Sequence, residues 1–296
     1  MRVSLGLPTH RLDEGAEFVS VAAITATAQA AEDAGFESVY VTDHPFPGDD
    51  WLAHGGHHTM DPFVALAVAA AATTRLRLLT NLLIVAYRNP YVTAKAVASL
   101  DVASGGRMIL GIGAGYLESE FEGLSVDFAS RNDLTDAAIV KMKEAWSGES
   151  VQGNTMRPAP AQRPHPPIWV GGNSRRAIRR AASLGDGWMP MPNPARSAAR
   201  RRTPALESVS DLAALLVYAR EVRAAAGGAP FEVVFIPSGL DMLSERGRFD
   251  AGAVRESMAG LTEVGVTAFN VALGGADRPA FLAEVDRFGS EVIGRA

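Results

Sequence analysis

Short apolar runs alternate with longer, Ala-rich amphipathic runs from one end of the chain to the other. An apolar run of four to eight residues closed by turn residues is the signature of a strand buried on both faces, and a longer run of helical period beside it supplies the cover. The pattern predicts strands over 3–7, 36–41, 76–83, 108–112, 168–170, 188–189, 231–236 and 266–271. Helices are predicted over 21–34, 62–74, 90–103, 131–146, 174–184, 206–226, 253–264 and 279–288. Punctuation agrees with the periods. Asp61-Pro62 and Asn89-Pro90 place a capping side chain before a proline in the first turn, Ser174 caps the helix after 170, and Gly35 and Gly105-Gly106 stop or turn the chain.

Eight strand–helix units in 296 residues predict a (β/α)₈ TIM barrel, with a doubly wound open sheet as the alternative that shares the same local pattern. The reading is one barrel domain over 1–296, with loop insertions near 45–60, 116–130, 147–166 and 190–205. The 147–166 segment, rich in Pro and Gln, is expected to be a loop with a short hairpin. In a barrel the residues ending the strands share one mouth, so chemistry is sought there.

Composition narrows the classes. Apolar residues at 47% and charged residues at 21% describe a globular chain rather than a disordered one. A net charge of −5 gives no general attraction to nucleic acid. The run Arg196 to Arg202 is a local exception, read as a solvated helix start with contact to an anionic ligand as its alternative. Without cysteine, disulfides and thiolate catalysis are excluded. The apolar start reads as a first strand rather than a signal, and no apolar segment of membrane length is seen, so the expectation is a cytoplasmic protein with a small-molecule substrate and neither nucleic acid nor membrane as partner.

The strand ends are chemically loaded. Strand two closes in Asp43-His44, and His44 can protonate a substrate atom or donate to a ligand carbonyl, or simply brace the loop. Strand three closes in Thr80-Asn81, where Asn81 is a polar group that must find a partner, and Arg88 lies just beyond. Strand four runs into Gly113-Ala114-Gly115-Tyr116. This is a poor dinucleotide fingerprint but a suitable place for a planar ring to approach the backbone. Trp51 could cover a flat substrate. His54, His57 and His58 lack an accompanying acidic cluster of known ligand spacing and are read as a mobile loop, with no metal assigned. The sharpest signal is Gly171-Gly172-Asn173-Ser174-Arg175, an apolar strand ending in two glycines before a Ser-capped helix, which proposes a phosphate held on backbone N–H groups with an arginine beside it.

These segments, with Gly35-Phe36-Glu37-Ser38-Val39-Tyr40-Val41, Leu100-Asp101-Val102-Ala103-Ser104-Gly105-Gly106-Arg107 and Gly185-Asp186-Gly187-Trp188, resemble the bacterial luciferase-like monooxygenase superfamily, most closely its coenzyme F420-dependent oxidoreductase branch. The resemblance is strong over residues 1–190 and extends to the remainder only by layout. It implies a barrel, commonly dimeric, holding a flavin or deazaflavin at the strand C-termini, with a third-strand bulge and a non-prolyl cis peptide near Leu79-Thr80-Asn81.

By the same resemblance His44 is the active-site histidine. Asp43, Thr80, Asn81, Gly113, Ala114, Gly115, Gly171, Gly172, Asn173, Ser174 and Arg175 face the cofactor, and Trp51, Arg88 and Tyr116 face the substrate. The implied reaction is hydride transfer between coenzyme F420 and a small organic substrate. An FMN-dependent monooxygenase and a non-catalytic flavin- or deazaflavin-binding protein are the alternatives. The segments after Trp146 and Pro194 depart from the family pattern and leave the substrate open.

Overall fold

The structure, a computed structural model, describes residues 1–229, 231–240 and 249–294. Its strands are β1 (Val3–Gly6), β2 (Ser38–Val41), β3 (Arg77–Thr80), β4 (Leu83–Ile84), β5 (Met108–Gly113), β6 (Ile168–Gly171), β7 (Gly187–Met189), β8 (Glu232–Phe235) and β9 (Ala268–Val271). All pairings between them are parallel, and β3 pairs with β5 as well as β2, so the sheet closes on itself. β3 and β4 are two halves of one barrel position, which makes an eight-stranded parallel barrel. The long helices of the cover are Val21–Asp33, Pro62–Ala72, Pro90–Ala103, Arg131–Trp146, Arg175–Leu184, Val209–Ala225, Ala251–Val264 and Arg278–Phe288.

Local chemistry explains where these helices begin. Ser20, Asp61, Asn89, Ser174, Ser208, Asp250 and Asp277 each accept a first-turn N–H through the side chain. That satisfies donors a helix start otherwise leaves unpaired. The 147–166 loop holds one antiparallel bridge, Val151 to Asn154, where a short hairpin was expected.

The two-residue period of a strand sorts the core into two layers. Tyr40, Leu79, Ile109, Trp169, Met189, Val234 and Ala268 pack together in the lumen. Their neighbours Val39, Leu78, Leu110, Val170, Trp188, Val233 and Phe269 point outward into the cluster beneath the helices. One more step of two toward the strand C-termini puts Thr42, Asn81, Gly171, Met191, Ile236 and Asn270 above the lumen plug, where all six line a cavity.

The third barrel strand is interrupted. Leu79 pairs with Ile109 but Leu83 pairs with Ile112, so the register slips by one residue across the break. A slip of one is what a bulge produces. The cis peptide lies here, between Asn81 and Leu82. Thr80 Oγ1 donates to Gly111 O at 2.8 Å and holds the strands together beside the gap. No helix among the described residues is long and apolar enough to cross a membrane.

The close approach at the break sets a test of the packing. A methyl on Gly111 would overlap the Thr80 carbonyl oxygen, whereas one on Gly260 meets nothing within 4 Å. Gly111→Ala is expected to lower the unfolding free energy by about 2 kcal/mol or more. Gly260→Ala, within a helix, should raise it by about 0.5–1 kcal/mol. Urea unfolding midpoints of the two variants measure both.

Candidate active site

The cavity at the strand C-termini has a volume of about 350 Å³, within the range of small-molecule sites. Asp43 and His44 follow β2, Asn81 and Leu82 form the break of the third strand, and Gly113 ends β5 with Ala114, Gly115 and Tyr116 after it. Gly171, Gly172 and Ser174 follow β6. These elements converge because parallel strands of a closed barrel end on the same rim.

On the cavity wall sits an imidazole among aromatic rings. The His44 ring centroid lies 4.5 Å from Trp51, 5.2 Å from His57 and 6.3 Å from Tyr116. His44 Nδ1 is 3.4 Å from Glu120 Oε2, and Phe46 N–H donates to the other carboxylate oxygen at 3.3 Å. Trp51 is packed on the imidazole and is not part of the cavity wall; Tyr116 is.

Asp43 has a different task. Ile84 N–H donates to Oδ2 at 3.0 Å, and Arg88 Nη2 donates to Oδ1 at 2.7 Å. Burial pushes the Asp43 carboxyl up, while the Arg88 charge and the Ile84 N–H pull it back. Arg88 is thus held by Asp43 and lies off the wall, contrary to its expected place in the substrate pocket. Thr80 is also off the wall, since its hydroxyl is turned to Gly111 O and the residue is fully buried.

The phosphate turn is rearranged relative to expectation. Gly172 N–H donates to Met189 O, Asn173 N–H to Thr203 Oγ1, and Ala177 N–H to Ser174 Oγ. Asn173 is buried, its amide donating to Met191 O and Pro204 O and accepting from Met191 N–H. It braces the loops after β6 and β7 and does not reach the cavity. The first-turn N–H groups of Arg175 and Arg176 have no intrahelical acceptor by geometry. The Arg175 side chain itself turns outward, over the Tyr218 ring at 4.9 Å.

The arginines that do line the cavity are Arg131, Arg180, Arg201 and Arg202. Arg180 is buried and bonds Asp136 and Asn132, and Arg202 donates to Glu118 Oε2 at 2.6 Å. Burial and the nearby Arg202 both work against the Arg131 charge. Part of the 196–202 run, Arg201 and Arg202, thus reaches the cavity wall.

Sequence reasoning missed Arg180, His57 and Asn270. Helical phase from the Ser174 cap would have found the first, because Ala177 and Arg180 share a face while Arg175 and Arg179 share another. Asn270 carries the same signal as Asn81, a polar residue in an apolar strand, and its Oδ1 is buried without a protein partner. His57 lies in a loop with no period to fix its direction, and the fold brings it onto the wall, with Thr42 Oγ1 at 3.3 Å from its Nε2.

Two sequence relatives are dehydrogenases. The chain is 33% identical over 178 residues to the F420-dependent hydroxymycolic acid dehydrogenase of Mycobacterium tuberculosis, covering 56% of this chain and 48% of that protein. It is 34% identical over 178 residues to the F420-dependent glucose-6-phosphate dehydrogenase of Gordonia bronchialis, covering 55% and 50%. The matched region spans about half the length of both relatives. Among solved structures, a monooxygenase from Streptomyces bottropensis superposes with a TM-score of 0.75 at 20% identity over 99% of both chains. An F420-dependent secondary alcohol dehydrogenase, solved with an F420-acetone adduct, gives 0.74 at 17% identity over 99% and 98%. These two share the fold. The family model of luciferase-like monooxygenases matches residues 1–214, and the chain belongs to that family.

Proposed function

We propose that this chain is a coenzyme F420-dependent oxidoreductase that exchanges a hydride with a small organic substrate. The observation that carries the reading is one cavity whose wall holds both a group of arginines and a histidine beside a carboxylate. The names of the two sequence relatives support the choice of F420 over FMN.

The residues present fit such a group. Gly113, Ala114 and Gly115 give a stretch of wall with no side chain larger than a methyl, against which a planar ring can lie. Asn270 Oδ1, buried and unpartnered on the cavity wall, is an acceptor awaiting an N–H donor. Arg131, Arg180, Arg201 and Arg202, with the amides at the start of the Arg175–Leu184 helix, would hold the phosphate-bearing tail. When bound, the deazaflavin supplies a two-electron hydride carrier, chemistry that no side chain of this cavity provides.

The protein's own contribution is proton handling and exclusion of water. His44 lines the cavity and would give or take the proton that accompanies hydride transfer. His57 stays neutral beside it: burial, with His44, His10 and His58 nearby, lowers its pKa to about 4. A neutral second imidazole adds polarity without adding charge against a protonated His44. Trp51, tilted against His44 with ring centroids 4.5 Å apart, would help to keep water from the imidazole.

A titration of the purified chain with F420 and with FMN tests the cofactor. Saturable F420 binding with FMN at least 100-fold weaker is expected; tight FMN binding with negligible F420 affinity would sink the proposal in favour of a flavin monooxygenase. His44→Asn should leave F420 affinity within a few-fold while lowering turnover by about 10²-fold or more. Unchanged turnover would remove His44 from the chemistry.

His57 adds a stability prediction. Its folded pKa lies below its ordinary value of 6.5, so the unfolded chain binds a proton that the fold refuses until about pH 4. The stabilisation is full above pH 6.5 and is lost as pH falls toward 4. Between pH 7 and pH 5 this residue should account for a loss of roughly 1–2 kcal/mol, with allowance for its partial exposure. Urea unfolding at the two pH values should show a correspondingly smaller drop in His57→Gln.

A further inference from the structure

Glu120 is 2% exposed, and its ionic neighbour among the described residues is His44; no lysine or arginine there pairs with it. Burying a carboxylate without a cation costs several kcal/mol, and an apolar residue would pack the same space without that cost. Glu120 also engages the segment it touches twice, through the His44 ring at Oε2 and the Phe46 N–H at Oε1. Its helix, Glu118–Gly123, is pressed against the same loop, since a Cβ on Gly48 would strike Ser119 and one on Gly123 would strike Phe46. The carboxylate is therefore delivered to the imidazole by two surfaces with no room to slide.

We infer that Glu120 is a positioning residue for His44: by accepting Nδ1–H it fixes the tautomer that leaves Nε2 as the unprotonated nitrogen available to the cavity. This rests on the reading of His44 as the residue at the reacting face. A neutral imidazole has one N–H, and the partner of one ring nitrogen decides the state of the other. The rings of Trp51, His57 and Tyr116 surround His44, yet the oxygen within reach of Nδ1 is that of Glu120. With Nδ1–H held, Nε2 takes a proton from a substrate hydroxyl, and the resulting imidazolium keeps its Nδ1–H toward a carboxylate that offsets the new charge. In the reverse direction the same proton leaves from Nε2. Glu120 neither gains nor loses a proton in either direction.

The test is a long-range ¹H–¹⁵N spectrum of the apoprotein labelled at histidine, at a pH where His44 is neutral and with its signals assigned by difference from His44→Asn. The expected pattern is a protonated Nδ1 and a bare Nε2, shifting toward the Nε2–H tautomer in Glu120→Leu. Should the leucine variant fail to fold, Glu120→Gln serves. Its single amide oxygen can meet His44 or Phe46 but not both, and a mixture of tautomers is expected. In the loaded protein the folded variant should lose about 10- to 100-fold in kcat with KM and F420 affinity within about threefold, and a double variant with His44→Asn should be no slower than His44→Asn alone. An Nε2–H tautomer in the unsubstituted protein, a tautomer unmoved by the Glu120 substitution, or additive losses in the double variant would each overturn the inference. Because the tautomer is read without cofactor, a chain that fails to bind F420 would defeat the proposed function and leave this result standing or falling by itself.

Discussion

Asp43 is 3% exposed at the C-terminal end of β2, and the arrangement of the mouth follows from how its charge is made tolerable there. A buried carboxylate must be met by donors or it will not stay ionised. The donors are the Ile84 N–H and the Arg88 guanidinium, both on the far side of the break in the third strand. One carboxylate thus fastens the end of β2 to the segment that resumes at β4, and Asn81 and Leu82 are carried over the lumen between these fixed points. His44, the next residue, takes its direction from the same anchor. Arg88 also precedes Asn89, whose side chain caps the Pro90–Ala103 helix, so the tie extends to the cover of the barrel.

Around this anchor, three of the loop insertions lock to one another rather than to the barrel alone. Glu120 on the second loop holds His44 and Phe46 of the first. Glu118 on the second loop accepts from Arg202 of the fourth, and Arg200 of the fourth donates to His54 O of the first at 3.4 Å. Each contact alone is worth little where it is exposed. Together they close a ring of loops above the cavity, and the aromatic cluster of His44, Trp51 and Tyr116 fills part of it.

The barrel was legible in the sequence because parallel strands buried on both faces produce uninterrupted apolar runs, and because Asp61, Asn89 and Ser174 mark helix starts by a mechanism that acts locally. The strand ends were legible as a common rim for the same reason. What could not be read was which polar atoms on that rim are free. Thr80, Arg88 and Asn173 carry suitable chemistry, but their partners Gly111, Asp43 and Met191 come from other units of the chain, and only closure of the barrel brings them within bonding distance. Arg180 was readable in principle from helical phase. His57 was not, since its place depends on the path of an irregular loop.

The charges along the cavity wall are unevenly answered. Glu118 and Asp136 answer Arg202 and Arg180, while Asp136 is shared with Arg176, and Arg201 bonds the neutral Asn193 amide. Arg131 is disfavoured by burial and by the repulsion of Arg202 and Arg176, which the nearby Glu118 offsets only in part. Positive charge is left over, beside helix amides that also favour an anion. Beside His44 the Glu120 carboxylate adds negative charge, while His57, whose pKa burial lowers, adds no positive charge near neutral pH. On the proposed reading, that excess would draw the anionic part of a ligand toward the arginines and the helix start at Ser174.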